Sequence, residues 1–216
     1  MIINILDTKK SVLNKFISEI RDLNVQKDAW RFRRNIERIG EILAYELSQS
    51  LNYDNQLVIT PLGTKDILLP KKDIVLCSIL RAGLPLHNGL LNYFDDAENA
   101  FISAYRKHIN ENEFEIKVEY FASPSLENKT LILADPMLAT GRSIVSVYEG
   151  LKKHGTPKKI HLACVIGSTE GIAYIKNHFP ENTTLWIATV DEKLNSKGYI
   201  VPGLGDAGDL AFGEKL

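Results

Sequence analysis

Apolar residues recur at helical spacing in the first third of the chain. Phe32, Ile36, Ile39, Leu43 and Leu47 are separated by four, three, four and four positions, the single buried stripe of a helix. Asp28 stands where an N-cap would accept the first free amides of that helix. Gln56 to Leu69 alternates weakly around Pro61-Leu62-Gly63 and predicts a small hairpin. From residue 73 the pattern switches to short, continuous apolar runs separated by helical segments. Strands are expected at Asp73 to Leu80, Ala100 to Tyr105, Thr130 to Ala134, 159–166 and 184–189. Helices are expected at Leu84 to Tyr93, Ser143 to His154 and 169–178. Pro85 falls in a first turn, where its missing amide costs nothing, and Gly155 and Pro157 stop the second helix. Lys107 to Glu113 is polar and Phe114 to Phe121 alternates, which predicts a protruding hairpin. Continuous apolar strands between helices are buried on both faces, so the fold expected is α/β, a mostly parallel central sheet with helices on both faces. Tyr199 to Gly213, rich in Gly and Asp, reads as neither strand nor helix.

Composition narrows the field without deciding it. A chain of 216 residues matches about one domain and buries about 70% of its unfolded surface. The single domain, 1–216, divides into an N-terminal helix and hairpin (27–70), an α/β core (73–190) and a C-terminal segment (198–213). A net charge of -1 argues against general nucleic-acid binding. No apolar run approaches membrane-spanning length, and Met1 to Lys10 lacks a signal-peptide pattern. Cys77 and Cys164 lie in strand-like apolar runs and read as buried, reduced thiols of a cytoplasmic protein. The histidines at 87, 108, 154, 161 and 178 show no metal-ligand spacing. Arg31, Arg33, Arg34 and Arg38 cluster on one helix with Glu37 and Glu41, which reads as a solvated, ion-paired face.

The sharpest chemical signal is Leu131-Ile132-Leu133-Ala134-Asp135-Pro136-Met137-Leu138-Ala139-Thr140-Gly141-Arg142-Ser143. A buried strand ends in an acid, and a short loop with Thr, Gly and Ser leads into a helix. Ligands of open α/β sheets bind where loops leave the carboxyl ends of strands. Amides at a helix N-terminus point outward and the helix dipole favours an anion there. Gly141 lets the backbone approach closely, and Thr140 and Ser143 add hydroxyls. Asp135 suits sugar hydroxyls or a hydrated metal. The plainer alternative makes Ser143 an N-cap and Thr140-Gly141 a turn. The segment is neither a P-loop nor a dinucleotide-binding glycine loop.

Asp135 to Ser143 resembles the phosphoribosyl-diphosphate (PRPP) loop of phosphoribosyltransferases. Together with Ser78-Ile79-Leu80-Arg81-Ala82-Gly83-Leu84, Tyr105-Arg106 and Gly198-Tyr199-Ile200-Val201-Pro202-Gly203-Leu204-Gly205-Asp206-Ala207-Gly208-Asp209, it makes the chain similar to the uracil phosphoribosyltransferases from about Phe32 to Gly213. The resemblance implies a reaction, uracil plus PRPP giving UMP and diphosphate. It implies that Asp135, Pro136, Met137, Leu138, Ala139, Thr140, Gly141, Arg142 and Ser143 hold the ribose and 5′-phosphate of PRPP. Arg81 and Arg106 would contact the diphosphate; taken alone, either arginine after a strand would read as a surface ion pair. The terminal segment would form a hood over uracil, with Ile200, Gly205, Asp206 and Ala207 reading the base; the bland alternative is a flexible tail. Arg106 and Asp206 are the catalytic candidates, Asp206 chiefly by ordering PRPP and its metal. Magnesium is expected to arrive with PRPP rather than in a protein cage, and a homodimer or larger homo-oligomer is expected. The bacterial uracil enzymes usually read Thr-Gly-Gly-Ser, and here Arg142 replaces the second glycine.

Some relatives respond to GTP, so a subunit contact or a GTP effector site stands as the alternative reading of the arginine cluster. Two rival functions remain to be separated. One is a phosphoribosyltransferase of another base, against which the hood segment argues. The other is a regulatory RNA-binding protein on the same fold, against which the net charge argues.

Overall fold

The structure, a computed structural model, describes residues 1–108 and 114–215, and for 104–108 and 114–119 the backbone alone. The chain opens with strand β1 (Ile2–Ile5), then helices α1 (Leu13–Arg21) and α2 (Ala29–Ser48). A ribbon of β2 (Tyr53–Thr60) and β3 (Gly63–Pro70) follows. The core is β4 (Ile74–Leu80), α3 (Gly83–Leu91), β5 (Glu98–His108), β6 (Phe114–Ala122), β7 (Thr130–Ala134), β8 (Met137–Leu138), α4 (Arg142–Leu151), β9 (Lys159–Ser168), α5 (Thr169–His178) and β10 (Thr183–Asp191). The chain finishes with β11 (Lys193–Leu194), β12 (Ile200–Val201) and α6 (Ala207–Phe212).

The main sheet runs β1-β10-β9-β7-β4-β5-β6, with β8 added alongside β9. Every pairing is parallel except β5 with β6. That antiparallel pair is the expected protruding hairpin; Ile109 to Glu113 of its polar stretch lie outside the described residues. The sheet alternates cleanly. Leu76, Ile132, Ala163 and Trp186 face α1, α2, α3 and α6. Val75, Leu131, Leu162 and Leu185 face α4 and α5. Strands buried on both faces explain the unbroken apolar runs. Among the described residues no helix is long and apolar enough to cross a membrane.

Asp28 caps α2 as expected, accepting from the Arg31 amide at 3.1 Å. Helix α2 crosses α3 at glycines. A Cβ on Gly89 would lie 2.1 Å from the Glu37 carbonyl oxygen, so only a bare backbone fits there. The small ribbon pairs from Tyr53 with Pro70 to Thr60 with Gly63, around the two residues Pro61 and Leu62. One element is new and one expectation is corrected. Strand β1, which the apolar pattern was not read to predict, pairs with Thr184 to Ile187 at the sheet edge. Tyr199 to Gly213 is not irregular throughout: Ile200–Val201 pairs with Lys193–Leu194, and Ala207–Phe212 is a helix. The reason is local, because the Asp206 carboxylate accepts the amides of Gly208 (2.8 Å) and Asp209 (3.0 Å) and nucleates a capped turn.

Candidate active site

Two loops leave the carboxyl ends of adjacent central strands, one after β4 and one after β7. They touch at their roots, since a Cβ on Gly83 would lie 3.5 Å from the Ala134 carbonyl oxygen. The β7 loop is held by β9 over its first half. Asp135 donates its amide to the Ala163 carbonyl (3.1 Å), and its Oδ1 accepts from the Met137 amide (3.2 Å). The Pro136 carbonyl accepts from both Val165 (3.1 Å) and Ile166 (2.9 Å). Met137 and Leu138 then pair with Ile166 and Gly167.

At Ala139 the loop turns away from the sheet. Gly141 takes φ +75°, a left-handed conformation that L side chains resist, and occupies the N-cap of α4. The first amides of this ten-residue helix therefore open onto a concavity bounded by Asp135, Thr140, Gly141 and Ser143. Backbone donors, a helix dipole and two hydroxyls converge there, an anion site by elementary electrostatics. Ser143 lies inside the first turn, so the alternative that made it the N-cap is corrected: Gly141 holds that position. Arg142 is the exposed first residue of α4, where ordinary helical dihedrals suffice and a second glycine is not required.

A wall behind this loop escaped the sequence reading. Ser168, fully buried at the end of β9, caps α5. Its Oγ accepts from the Gly171 amide (2.8 Å) and donates to the Ala139 carbonyl (2.6 Å). Gly171 packs so closely that a Cβ would lie 2.3 Å from the same carbonyl oxygen. The local signal existed, since a serine between a strand and a helix is a cap; its second bond, across 29 residues to Ala139, left no local trace.

The other rim joins the β4 loop to the chain's end. Arg81 donates from Nη2 to Asp209 Oδ1 (3.2 Å) and to the Gly213 carbonyl (3.1 Å). A Cβ on Gly208 would lie 3.9 Å from that of Ala82. Helix α6 thus sits against the Arg81 turn. Ile200, Leu204 and Ala207 are buried, and Gly205 takes φ +94°. Arg33 braces α6 from α2, donating to the Ala211 carbonyl at 2.6 Å with Phe212 beneath it. Arg106 lies on β5 opposite Ile116, and its side chain falls outside the described residues.

Ionisation separates the nearby groups. Burial pushes the Cys77 thiol up to about 12. Burial, with the Asp135 carboxylate adding to it, also holds Cys164 well above its ordinary value. Neither thiol is a nucleophile at neutral pH. Behind the Arg81 turn, His87 Nδ1 meets Ser78 Oγ at 2.8 Å, and burial lowers the imidazole's pKa. For a metal, no group of three His, Cys, Asp or Glu comes together among the described residues. Asp135 and Asp206 bring hard carboxylate oxygens to the two rims, which fits an ion carried mostly by a ligand's own oxygens.

A family model described as uracil phosphoribosyltransferase matches residues 7–214. A Porphyromonas gingivalis protein named uracil phosphoribosyltransferase is 52% identical over 211 residues, 98% of each chain. A Pyrococcus furiosus protein of the same name is 38% identical over 205 residues, covering 94% of this chain and 86% of its own. The solved structure of an Aquifex aeolicus protein superposes over 100% of both chains, with a TM-score of 0.88 at 30% identity. A Staphylococcus aureus hypoxanthine phosphoribosyltransferase, at TM-score 0.50 and 16% identity over 75% of this chain and 76% of its own, shares the fold alone.

Proposed function

The chain belongs to the uracil phosphoribosyltransferase family, and from that premise we propose how its residues divide the work of joining uracil to the ribose of PRPP. The reaction is uracil plus PRPP giving UMP and diphosphate, a step of pyrimidine salvage. The observation that carries the division of labour is the anion cradle at Gly141 and α4, set beside an arginine already paired to the terminal segment.

The 5′-phosphate sits on the amides from Ala139 to Ser143, with the Thr140 and Ser143 hydroxyls as further donors. Asp135 accepts from the ribose hydroxyls. Arg81 and Arg106 face the diphosphate, and PRPP draws Arg81 off Asp209 as it binds. The bond from C1 to the diphosphate oxygen breaks with its electron pair leaving on oxygen. A bond from uracil N1 to C1 forms, and N1 gives up its proton. Positive charge grows on the ribose and negative charge on the leaving group, so the arginines stabilise the transition state more than the ground state. Magnesium carried by PRPP, with Asp135 and Asp206 as the nearby carboxylates, would supply further charge neutralisation on the diphosphate. Asp206, capping α6 through Oδ1 with Oδ2 3.9 Å from Lys215 Nζ, orders PRPP and its hydrated ion. Transfer of the N1 proton is its secondary role. Uracil lies under the hood, its edge read by backbone at Ile200 and Gly205 to Ala207. A buried edge-reading site rejects bases that leave those groups unpaired.

Three further assignments belong to this reading. The chain acts as one domain in the cytoplasm, which its buried thiols support. It assembles as a homodimer or larger. The β2–β3 ribbon supports assembly, because Ile59 is 84% and Leu62 100% exposed, and a lone two-stranded ribbon is marginal in water. The arginine cluster is engaged within the chain, two of its members in ion pairs and two in neutral hydrogen bonds, which favours a solvated face over a GTP site. Arg31 pairs with Glu19, Arg34 with Glu37 and Glu41, Arg38 with Asn35, and Arg33 braces α6. The test is a panel of bases with PRPP and magnesium. Uracil is converted, and cytosine, orotate, hypoxanthine and guanine are poor substrates; turnover of a purine at a comparable rate would remove the hood assignment.

A further inference from the structure

We propose that Arg21 and Asp191 are positioning residues for uracil, an ion pair that grips the Gly203 peptide and so fixes the backbone that reads the base. The inference rests on the reading of the terminal segment as the uracil hood.

Arg21 is the last residue of α1 and Asp191 the last of β10, 170 positions apart. Their contact is a fork on a carboxylate. Nη1 donates to Oδ2 at 2.8 Å and Nη2 to Oδ1 at 2.9 Å, a bidentate geometry that fixes orientation as well as charge. The same two groups then hold one glycine from both sides. Arg21 Nη1 donates to the Gly203 carbonyl (3.1 Å), and the Gly203 amide donates to Asp191 Oδ2 (2.9 Å). Thr189 Oγ1 accepts the remaining Nη2 contact at 3.2 Å. Both the carboxylate and the guanidinium are mostly shielded from water, with side-chain exposures of 9% and 22%.

The gripped residue has little room to move elsewhere. Gly203 takes φ +62°, and a Cβ there would lie 2.1 Å from the Ile200 carbonyl oxygen. One residue later, the Leu204 carbonyl accepts from Gln26 Nε2 (3.2 Å), which also holds the end of α1 through the Ile20 carbonyl (2.9 Å). Upstream, Leu194 pairs with Ile200. The clamp therefore closes the base of a loop whose next residues, Gly205 to Ala207, face uracil in this reading. Its anchor is firm, because Leu13, Ile17 and Ile20 bury α1 in the core. None of the clamp's hydrogen bonds goes to Asp135 to Ser143, the main hold on PRPP, and Asp191 meets Ser168 only through backbone pairing. Asp206 is the one PRPP group on the clamped loop, so the effect is uneven: base binding weakens much more than PRPP binding.

The experiment compares wild type with Arg21→Met, Arg21→Lys and the direct hood variant Gly205→Ala. It measures KM for uracil at saturating PRPP, Kd for PRPP with magnesium by calorimetry, and Tm. Arg21→Met is expected to raise the uracil KM about tenfold or more while the PRPP Kd stays within about twofold. Arg21→Lys recovers part of the loss, since it keeps the charge without the planar fork. Gly205→Ala also raises the uracil KM. A folded Arg21→Met with a wild-type uracil KM, beside a raised KM in Gly205→Ala, overturns the clamp and leaves the hood standing. Equal loss of uracil and PRPP binding overturns it too, because the role is then fold-wide. An unchanged uracil KM in both variants removes the hood reading and the clamp with it. If Arg21→Met does not fold, Arg21→Lys decides: a raised uracil KM with an unchanged PRPP Kd supports the clamp, and an unchanged KM overturns it.

Discussion

Ser168→Ala separates a helix cap from a part of the PRPP cradle. One buried oxygen serves the Gly171 amide at 2.8 Å and the Ala139 carbonyl at 2.6 Å. Losing the cap alone costs about 1 kcal/mol. The Ala139 carbonyl, on a residue only 7% exposed, also loses its donor. That adds about 1–2 kcal/mol, because a buried acceptor left without a partner keeps its desolvation cost. The total is about 2–3 kcal/mol, and at ~2–4 °C per kcal/mol for a chain of this size Tm falls by about 5–10 °C. Part of this loss reappears in binding. A loop no longer held at Ala139 must be ordered by the ligand, so the PRPP Kd rises about tenfold, the equivalent of ~1.4 kcal/mol. The uracil KM at saturating PRPP stays near wild type, because the Ser168 hydroxyl bonds only Gly171 and Ala139, and its tie to Asp191, next to the hood, is backbone pairing that alanine keeps. Calorimetry supplies Tm and Kd on one preparation. A lowered Tm with an unchanged PRPP Kd would show that Ser168 only caps α5. An unchanged Tm would show that the paired hydrogen bonds do not form.

Other expectations follow from packing, ionisation and charge. Gly89→Ala places a Cβ against the Glu37 carbonyl oxygen, where backbone cannot yield unless the helices part. Overpacking costs about 3 kcal/mol, offset by about 1 kcal/mol of helix propensity, so the urea midpoint drops; an unchanged midpoint contradicts the glycine crossing. Burial, with Lys159 adding, lowers His161 to about 4 from 6.5. Such a depressed histidine stabilises the fold above pH 6.5, and that contribution is lost as pH falls toward 4. His161→Asn keeps an acceptor for the Trp186 indole N–H, 3.1 Å away in the native chain. It flattens that part of the stability profile, and an unaltered slope in urea titrations refutes the assignment. Arg106→Ala lowers single-turnover UMP formation by on the order of 10²–10³ with Tm nearly unchanged, and Arg106→Lys recovers part. Equal turnover by all three proteins makes Arg106 a surface residue.

Much of this molecule was legible because its signals are local. Buried parallel strands show as apolar runs, and Thr130 to Ala134 matches β7 at both ends. The cradle was legible for the same reason: an acid ending a strand, then Thr-Gly before a helix, is a complete local motif. What escaped was non-local or very short. The four residues of β1 are too few to show an alternation of their own, and they pair only with β10, at the sheet edge. Helix α6 lies among glycines, and the chemical signal of Asp206 masks its capping role. Ser168 holds a carbonyl 29 positions away, and Arg21 a carboxylate 170 away. Neither pairing leaves a spacing that a single chain can display.

Amide hydrogen exchange with partial ligands tests the central division of labour most directly. Ribose 5-phosphate carries the anion without the base, and UMP carries both. Ribose 5-phosphate is expected to protect the amides from Ala139 to Ser143 and leave Gly205 to Ala207 unchanged. UMP is expected to protect both segments. Protection of Gly205 to Ala207 by ribose 5-phosphate alone, or no protection of Ala139 to Ser143 by either ligand, would contradict the account.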